Sequence, residues 1–147
     1  MKAFKKGIFT PQNQTKYVGR RPLMYKSSYE YKFMNFLDKT AAVTEWSYES
    51  IVIRYVHPLT GRPARYYPDF LFTYKDTSGN TIIEMVEIKP YKQTIPPKAG
   101  KGKKQIYLLQ EAKTWVVNKA KWEAAILYCS NKGIKFRIMT EKDLNIR

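Results

Sequence analysis

The chain has very little histidine and cysteine: His57 and Cys129 each occur once among its 147 residues. A lone cysteine excludes an intramolecular disulfide and a cysteine-based zinc cluster. A lone histidine, followed by Pro58 in a predicted turn, makes His-metal nucleases and Ser-His-Asp hydrolases poor candidates. Whatever chemistry the chain performs is therefore expected to use carboxylates and lysine.

Acidic residues and long apolar runs are also scarce. The 12 Asp plus Glu stand against 27 Lys plus Arg, which gives a formal net charge of +15. Such a charge favours an anionic partner, and nucleic acid is the leading candidate. No apolar run approaches the roughly 20 residues of a membrane span, and the N-terminus lacks the apolar stretch of a secretory signal. We expect no membrane partner and synthesis in a reducing cytoplasm.

The first 26 residues differ in character from the rest. They hold seven basic residues and no acidic one, and Pro11, Gly19 and Pro22 interrupt any regular pattern. We interpret residues 1–26 as an extended basic arm, which either tracks phosphates or docks on another protein. Residues 27–147 are predicted to form a single folded domain. Within the arm, the predicted DNA contacts are Lys16, Arg20, Arg21 and Lys26.

Apolar periodicity in residues 27–147 predicts a mixed sheet flanked by helices. Ser27 and Glu30 have the spacing of a capping box at the start of a helix. Strands over 64–74 and 81–89, joined by a tight turn at 76–80, are predicted to form an antiparallel hairpin. Helices over 104–114 and 119–132, the second capped by Asn118, precede a strand over 134–139, which can return parallel after the crossover. Thr140 is predicted to cap a short terminal helix. Candidate core residues are Tyr29, Phe33, Phe36 and Leu37 in the first helix, Ile106, Leu108 and Leu109 in the second, and Trp122, Ala125, Ile126 and Cys129 in the third.

The strand over 81–89 carries the chemistry. Strict alternation sends Glu87 and Lys89 to one face at its end and Ile88 to the other. Folding the hairpin back brings Asp69 close to Glu87. Magnesium prefers carboxylate oxygen and keeps several waters, so Asp69 and Glu87 are predicted metal ligands, with the carbonyl of Ile88 as a further candidate. Lys89 is expected either to hold the attacking water or to bind the scissile phosphate. The pattern indicates a phosphodiesterase that uses Mg²⁺, with Mn²⁺ as an alternative.

The sequence leaves two roles open for Glu30. Its spacing from Ser27 favours a helix cap. Its position beside the apolar stripe of the helix also lets it reach the cleft, where it would position Lys89 or help hold a second ion.

A second basic segment follows the proposed metal site. Residues 89–104 hold six lysines and no acid, and Pro96, Pro97 and two glycines predict a loop. The run begins two residues after Glu87, where a phosphate chain would need guiding. Nothing resembles a base-reading helix, so we expect little sequence specificity. The further predicted DNA contacts are Arg65, Lys92, Lys98, Lys101, Lys103 and Lys104.

The motifs together resemble known nucleases. Pro68-Asp69 followed by Glu87-Ile88-Lys89 matches the signature of the PD-(D/E)XK superfamily. The helix start Tyr25-Lys26-Ser27-Ser28-Tyr29-Glu30 and the segment 65–70 resemble motifs of TnsA-type transposon-end endonucleases. Segments 87–90, 96–97, 117–122 and 132–138 resemble the head completion nucleases of large contractile-tailed, T4-like bacteriophages. This resemblance extends from about residue 17 to residue 144.

The resemblance implies an α/β, restriction-endonuclease-like core and a magnesium-dependent endonuclease acting on double-stranded DNA at the end of genome packaging. Its partners would be phage head or neck proteins. It would be located in the host cytoplasm during assembly and then in the virion. The resemblance implies that the catalytic residues are Glu30, Asp69, Glu87 and Lys89 and that the three acids bind the metal. It therefore favours a catalytic role for Glu30 over a role in capping alone. Two alternatives stay open: a non-catalytic structural DNA-binding protein of the phage head or neck, and a branched-DNA resolvase.

Overall fold

A computed structural model describes residues 6–100 and 102–144. A four-stranded mixed sheet lies at its centre. The elements in chain order are β1 (Gly7–Phe9), β2 (Leu23–Tyr25), α1 (Ser28–Lys39), β3 (Val43–Tyr48), β4 (Ile53–Val56), β5 (Pro63–Tyr66), β6 (Phe70–Lys75), β7 (Thr81–Ile88), a 3₁₀ turn (Tyr91–Gln93), α2 (Gln105–Lys132) and β8 (Lys135–Met139). The central sheet has the order β3-β6-β7-β8. Its first two pairings are antiparallel and β7–β8 is parallel. The predicted α/β class, mixed sheet and parallel return of the last strand are confirmed.

Apolar side chains cover both faces of the central sheet. On one face, α1 packs through Phe33 and Leu37 onto Val86 of β7. On the other face, α2 packs onto Met85 through Trp122, Ala125 and Cys129, all of them buried. Since alternate β7 residues enter different clusters, the predicted two-residue period is confirmed. It places Glu87 on the face that α2 covers.

The predicted hairpin joins β6 to β7. Asp76 Oδ1 accepts the backbone N–H groups of Ser78 and Asn80, each at 2.9 Å. Gly79 has a φ of +83°, a left-handed conformation that glycine adopts without steric penalty. The register pairs Phe70 with Val86. Asp69 directly precedes Phe70 and Glu87 directly follows Val86, so in this antiparallel pair the two acids are neighbours.

The strand predicted over 64–74 is in fact two strands. β5 pairs with β4 in a separate two-stranded sheet, and β6 starts the central sheet at Phe70. Buried Pro68 lies in the connection over residues 67–69. Proline lacks the N–H that a ladder needs and so cannot continue the strand. The resulting bend places Asp69 at the start of β6.

The two helices predicted over 104–132 are one. No glycine or proline interrupts α2 before Gly133, where a φ of +68° ends it. Asn118 is buried mid-helix and caps nothing. All four buried residues of α2 lie between Asn118 and Cys129, so the first half lies off the sheet. The prediction that Ile106, Leu109 and Ile126 are buried is wrong, since they are 61%, 54% and 56% exposed. Leu108 is only half-buried. Phe36 of α1, at 52% exposure, also lies outside the core.

The expected extended arm is instead folded onto the domain across residues 6–26. β1 and β2 pair antiparallel. Phe9, Tyr17 and Leu23 are buried in the cluster on the α1 side of the sheet. Burial of these widely spaced apolar side chains outweighs the disordering effect of the prolines and the charge. Lys2 and Lys5 lie outside the described residues.

At the other end, residues 141–144 form a turn and not the predicted helix; the Thr140 N–H donates to Asp143 Oδ2 at 2.8 Å. Within the described part of the chain, no helix combines the length and the apolar character needed to cross a membrane.

Candidate active site

Asp69 and Glu87 meet where the bend after Pro68 faces the end of β7. The Asp69 N–H donates to Glu87 Oε1 at 3.2 Å. In return, Asp69 Oδ2 accepts the Ile88 N–H at 2.8 Å. This pair of bonds clamps each carboxylate onto the other strand's backbone. The two carboxylates therefore converge, as the sequence predicts, and do not lie on opposite faces of the sheet.

The electrostatics of this pair favour a cation or a proton. Burial raises the pKa of Asp69 well above its usual range, and repulsion from Glu87 and Glu30 adds to the rise. Burial also raises the pKa of Glu87, against the opposing effect of the Lys89 ammonium. Two neighbouring carboxylates with little water around them cannot both ionise without cost. A bound divalent cation would remove that cost.

Lys89 lies beside Glu87, on the same face as predicted. Its Nζ is 3.9 Å from Glu87 Oε2, and about a third of its side chain is exposed. The ammonium thus remains accessible to a substrate phosphate or a water.

Glu30 takes part in the predicted helix cap, and its role as a metal ligand stays a prediction. Its N–H donates to Ser27 Oγ at 3.2 Å, which caps α1. Its Oε1 accepts the Lys26 N–H at 2.7 Å and the Tyr48 hydroxyl at 3.0 Å. The side chain is buried, and burial raises its pKa. Its charge also raises the pKa of Asp69, so Glu30 lies near enough to Asp69 for the two charges to repel each other.

Glu49 links this edge of the site to Asp69. Its N–H donates to the carbonyl of Asp69 at 2.8 Å, and its carboxylate pairs with Lys26 Nζ at 3.0 Å. A φ of +50° holds Glu49 in the left-handed region, which costs free energy for a non-glycine residue. Sequence reasoning missed Glu49 and Tyr48, because only the fold brings the end of β3 beside α1.

Two further side chains next to Glu87 were also missed. The Tyr66 hydroxyl is buried beside Glu87, to which it makes no more than a poorly aligned hydrogen bond in the described structure. Burial, and then the charges of Glu87 and Asp69, raise its pKa, so it stays a neutral donor. Lys121 of α2 is half-buried; burial, and then the charge of Lys89, lower its pKa, while Glu87 opposes the change. No local pattern marks either residue, although Lys121 lies within a segment that resembles phage nucleases.

The metal-binding capacity rests on two carboxylates. In residues 6–100 and 102–144, no group of three or more His, Cys, Asp or Glu residues is placed to hold an ion. Glu30 is thus not joined to Asp69 and Glu87 in one ligand group, and its role as a ligand stays a prediction. Magnesium commonly takes one or two protein carboxylates and keeps waters. The convergence of the two carboxylates and their raised pKa values fit such an ion.

The predicted DNA contacts divide into exposed and engaged side chains. Lys16 Nζ donates to the carbonyls of Leu37, Asp38 and Thr40, at the C-terminal end of α1. Arg21 donates to Gln14 and Tyr17, and Lys26 pairs with Glu49. Lys101 lies outside the described residues. Arg21 and Lys26 are nevertheless exposed, as are Arg20, Arg65, Lys92, Lys98, Lys103 and Lys104; Lys103 also pairs with Glu111 at 3.0 Å.

An open groove lies beside Lys26 and Tyr48, the two residues that hydrogen-bond to Glu30. Its volume is about 630 Å³. Arg20 and Lys26 line it together with Tyr48, Glu49 and the exposed ring of Tyr67. Cations and an exposed aromatic ring are features that suit a nucleic-acid strand.

Two comparisons with known proteins bear on this site. Residues 40–141 match the family model described as TnsA-like endonuclease N terminal. This range contains Asp69, Glu87 and Lys89. Over 144 residues, the chain is 38% identical to the head completion nuclease of Enterobacteria phage T4, with 94% of this chain and 92% of that protein covered.

Proposed function

The chain belongs to the family of TnsA-like endonuclease N-terminal domains, and from that membership we propose that it is a metal-dependent DNA endonuclease. The observation that carries the proposal is the convergence of Asp69 and Glu87 beside Lys89. Likeness to a head completion nuclease along nearly the whole chain supports a role in completing phage heads. Cleavage of DNA phosphodiester bonds at the end of packaging is the reaction we assign.

We assign the ion to Asp69 and Glu87, with Glu30 as a third acid. When bound, Mg²⁺ or Mn²⁺ would lower the pKa of a water and neutralise phosphate charge. Lys89 faces the open side of the pair, where its ammonium holds the attacking water or the scissile phosphate. Tyr48 and the Lys26 N–H orient Glu30 through its Oε1. The fixed positions of these groups before substrate binds reduce the reorganisation that catalysis requires.

The substrate we propose is double-stranded DNA with little sequence preference. A net charge of +15 supports a polyanion, and exposed Arg20 and Arg65 supply contacts that do not depend on base identity. Phage head or neck proteins are the proposed partners, with the virion as the final location and host cytoplasm during assembly.

A cleavage assay tests the proposal. Wild-type protein should nick plasmid DNA with Mg²⁺ or Mn²⁺, and EDTA should stop the reaction. Asp69→Asn and Glu87→Gln should abolish cleavage and keep DNA binding, whereas Glu123→Gln, an exposed acid on α2, should cut normally. A four-way junction assayed in parallel separates a resolvase from a general endonuclease. Folded wild-type protein that cuts nothing with any divalent metal would refute the proposal.

A structural role in the phage particle is the second candidate. The first half of α2 exposes Ile106, Tyr107 and Leu109, each by more than half. Exposed apolar side chains on one helix favour contact with another protein. If Asp69→Asn protein, inactive in cleavage, still restored infectivity to particles lacking the chain, the structural role would replace the enzymatic one.

A further inference from the structure

Lys121 approaches the carboxylate pair from the helix side of the sheet. Its Nζ lies 5.7 Å from the centre of the Tyr66 ring. The hydroxyl of that ring is buried beside Glu87. The adjacent Trp122 is packed into the core between α2 and the sheet, which fixes where α2 presents Lys121. The backbone of α2 is therefore fixed at Lys121, and the ammonium lies near the Tyr66 ring.

Two ammonium groups consequently share the surroundings of one carboxylate. Lys89, directly after β7, lies 3.9 Å from Glu87, and Lys121 interacts with the charges of both Lys89 and Glu87. Lys121 itself makes no ion pair within 4 Å in the described part of the chain. A half-buried lysine near a second lysine is unfavourable in isolation. An anion that binds between them would make the arrangement favourable.

Lys121 is accessible to a ligand. It lines a cavity of about 270 Å³ together with Lys113 and Asn118 of α2 and Leu59 from the loop between β4 and β5, whereas Lys89 and the two acids lie outside this lining. In phosphodiester cleavage, negative charge accumulates on the phosphate oxygens that are not broken. A cation already positioned where that charge develops stabilises it strongly, because a desolvated site screens it less than water.

We propose that Lys121 is a catalytic residue that binds a non-bridging oxygen of the phosphate being cleaved, which leaves Lys89 to hold the attacking water. This inference rests on the proposed endonuclease function. It divides the two roles that the sequence left open for Lys89 between two lysines on different elements.

Lys119 provides a matched control on the same helix. Its Nζ lies 5.8 Å from the centre of the Trp115 ring, so it has the same kind of cation–aromatic contact. Two residues correspond to about 200° around a helix, which turns Lys119 away from Lys121 and leaves it exposed. Replacing either lysine removes one charge from α2.

The experiment compares Lys121→Gln, Lys121→Arg and Lys119→Gln with wild type. Lys121→Gln should lower kcat by about 10²- to 10³-fold, as loss of one charge-stabilising donor does, with a smaller change in KM. Lys121→Arg should recover part of that loss. In EDTA, fluorescence anisotropy should show that Lys121→Gln binds DNA with a salt slope smaller by about one. Lys119→Gln should match wild type in all three measurements.

The outcomes separate this inference from the proposed function. If wild type cuts DNA and Lys121→Gln cuts equally well, the inference is wrong and the endonuclease function stands. If wild type binds DNA but never cuts, the proposed function fails; equal salt slopes for the Lys121→Gln and Lys119→Gln proteins in EDTA would then overturn the phosphate contact as well. Should circular dichroism show Lys121→Gln to be unfolded, Lys121→Met, which keeps the apolar stem, takes its place.

Discussion

The Asp69 N–H donates to Glu87 Oε1 at 3.2 Å, so the backbone of one acid holds the carboxylate of the other. The Ile88 N–H does the same for Asp69 Oδ2 at 2.8 Å. These bonds keep two acids together in a place where burial raises the pKa of each. Without a cation, the two buried carboxylates therefore lower the stability of the fold at the position where a cation would bind. Local destabilisation of this kind is common at functional sites.

Stability without metal should fall as this pair ionises. Carboxylates whose pKa is raised by folding stabilise the protein below their ordinary pKa of about 4 and lose that contribution as pH rises through the folded-state pKa. In EDTA, the free energy of unfolding of wild type relative to Asp69→Asn should therefore decrease from pH 4 towards neutrality. Urea unfolding at a series of pH values measures this. Glu123→Gln is the exposed control, and a pH-independent difference for Asp69→Asn would contradict the prediction.

Added metal should reverse that loss. Mg²⁺ or Mn²⁺ binds only the folded arrangement of Asp69 and Glu87, so it should raise the melting temperature of wild type at neutral pH. Asp69→Asn should show a much smaller shift, since one ligand charge is gone. Calorimetry with Mg²⁺, Mn²⁺ and a matched concentration of a monovalent salt separates binding from ionic strength. An equal shift in both proteins would place the ion elsewhere.

Removing the Lys89 ammonium should affect both rate and pH profile. If Lys89 positions the attacking water, Lys89→Gln should slow single-turnover cleavage by about 10²- to 10⁴-fold. Lys89 also opposes the rise in the pKa of Glu87. Its loss should therefore shift the acidic limb of the residual rate profile to higher pH. Lys92→Gln, an exposed lysine of the following loop, should leave the limb in place; identical profiles for the two variants would count against the assignment.

Glu30 and Ser27 allow capping to be separated from catalysis. Ser27→Ala removes the acceptor of the Glu30 N–H and should cost about 1 kcal/mol in the free energy of unfolding, without changing cleavage per folded molecule. Glu30→Gln keeps an acceptor for Lys26 and Tyr48 but loses the charge. We expect near-normal stability and at least a roughly tenfold lower rate, which corresponds to about 1.4 kcal/mol. Full activity of Glu30→Gln would reduce Glu30 to a cap.

Lys16 and Arg20 should respond differently although both belong to the predicted DNA-binding set. Lys16 Nζ donates to three carbonyls at the end of α1, so Lys16→Met should lower the free energy of unfolding by about 1–2 kcal/mol. Arg20 is exposed and lines the groove beside Lys26 and Tyr48. Arg20→Gln should keep that stability and weaken DNA binding, with a smaller salt slope. Chemical denaturation measures the stability of both variants, and binding titrations measure their affinity for DNA. An unchanged stability for Lys16→Met would show that its bonds to the carbonyls at the end of α1 do not stabilise the fold.

Local patterns were sufficient for the central chemistry. A two-residue period places Glu87 and Lys89 on one face at the end of β7, and the turn residues of 76–80 predict the hairpin. Asp69 follows from these two facts, because a hairpin determines which residues lie opposite each other. Local reasoning failed at Asn118 and in residues 6–26. There, burial against distant elements overrode a possible helix cap and a charged, proline-containing segment.

The sequence by itself thus determined the strand carrying Glu87 and Lys89, its pairing with the segment after Asp69, and the family that these motifs resemble. Only the tertiary structure decided which other side chains join them. Tyr48, Tyr66 and Lys121 come from β3, β5 and α2, and Glu30 takes part in its helix cap while its charge acts on Asp69. The physical reason is range: periodicity and turn chemistry act between near neighbours in the chain, whereas burial and charge act through space. Asp69 and Glu87 could therefore be predicted from the sequence, whereas Lys121 could not.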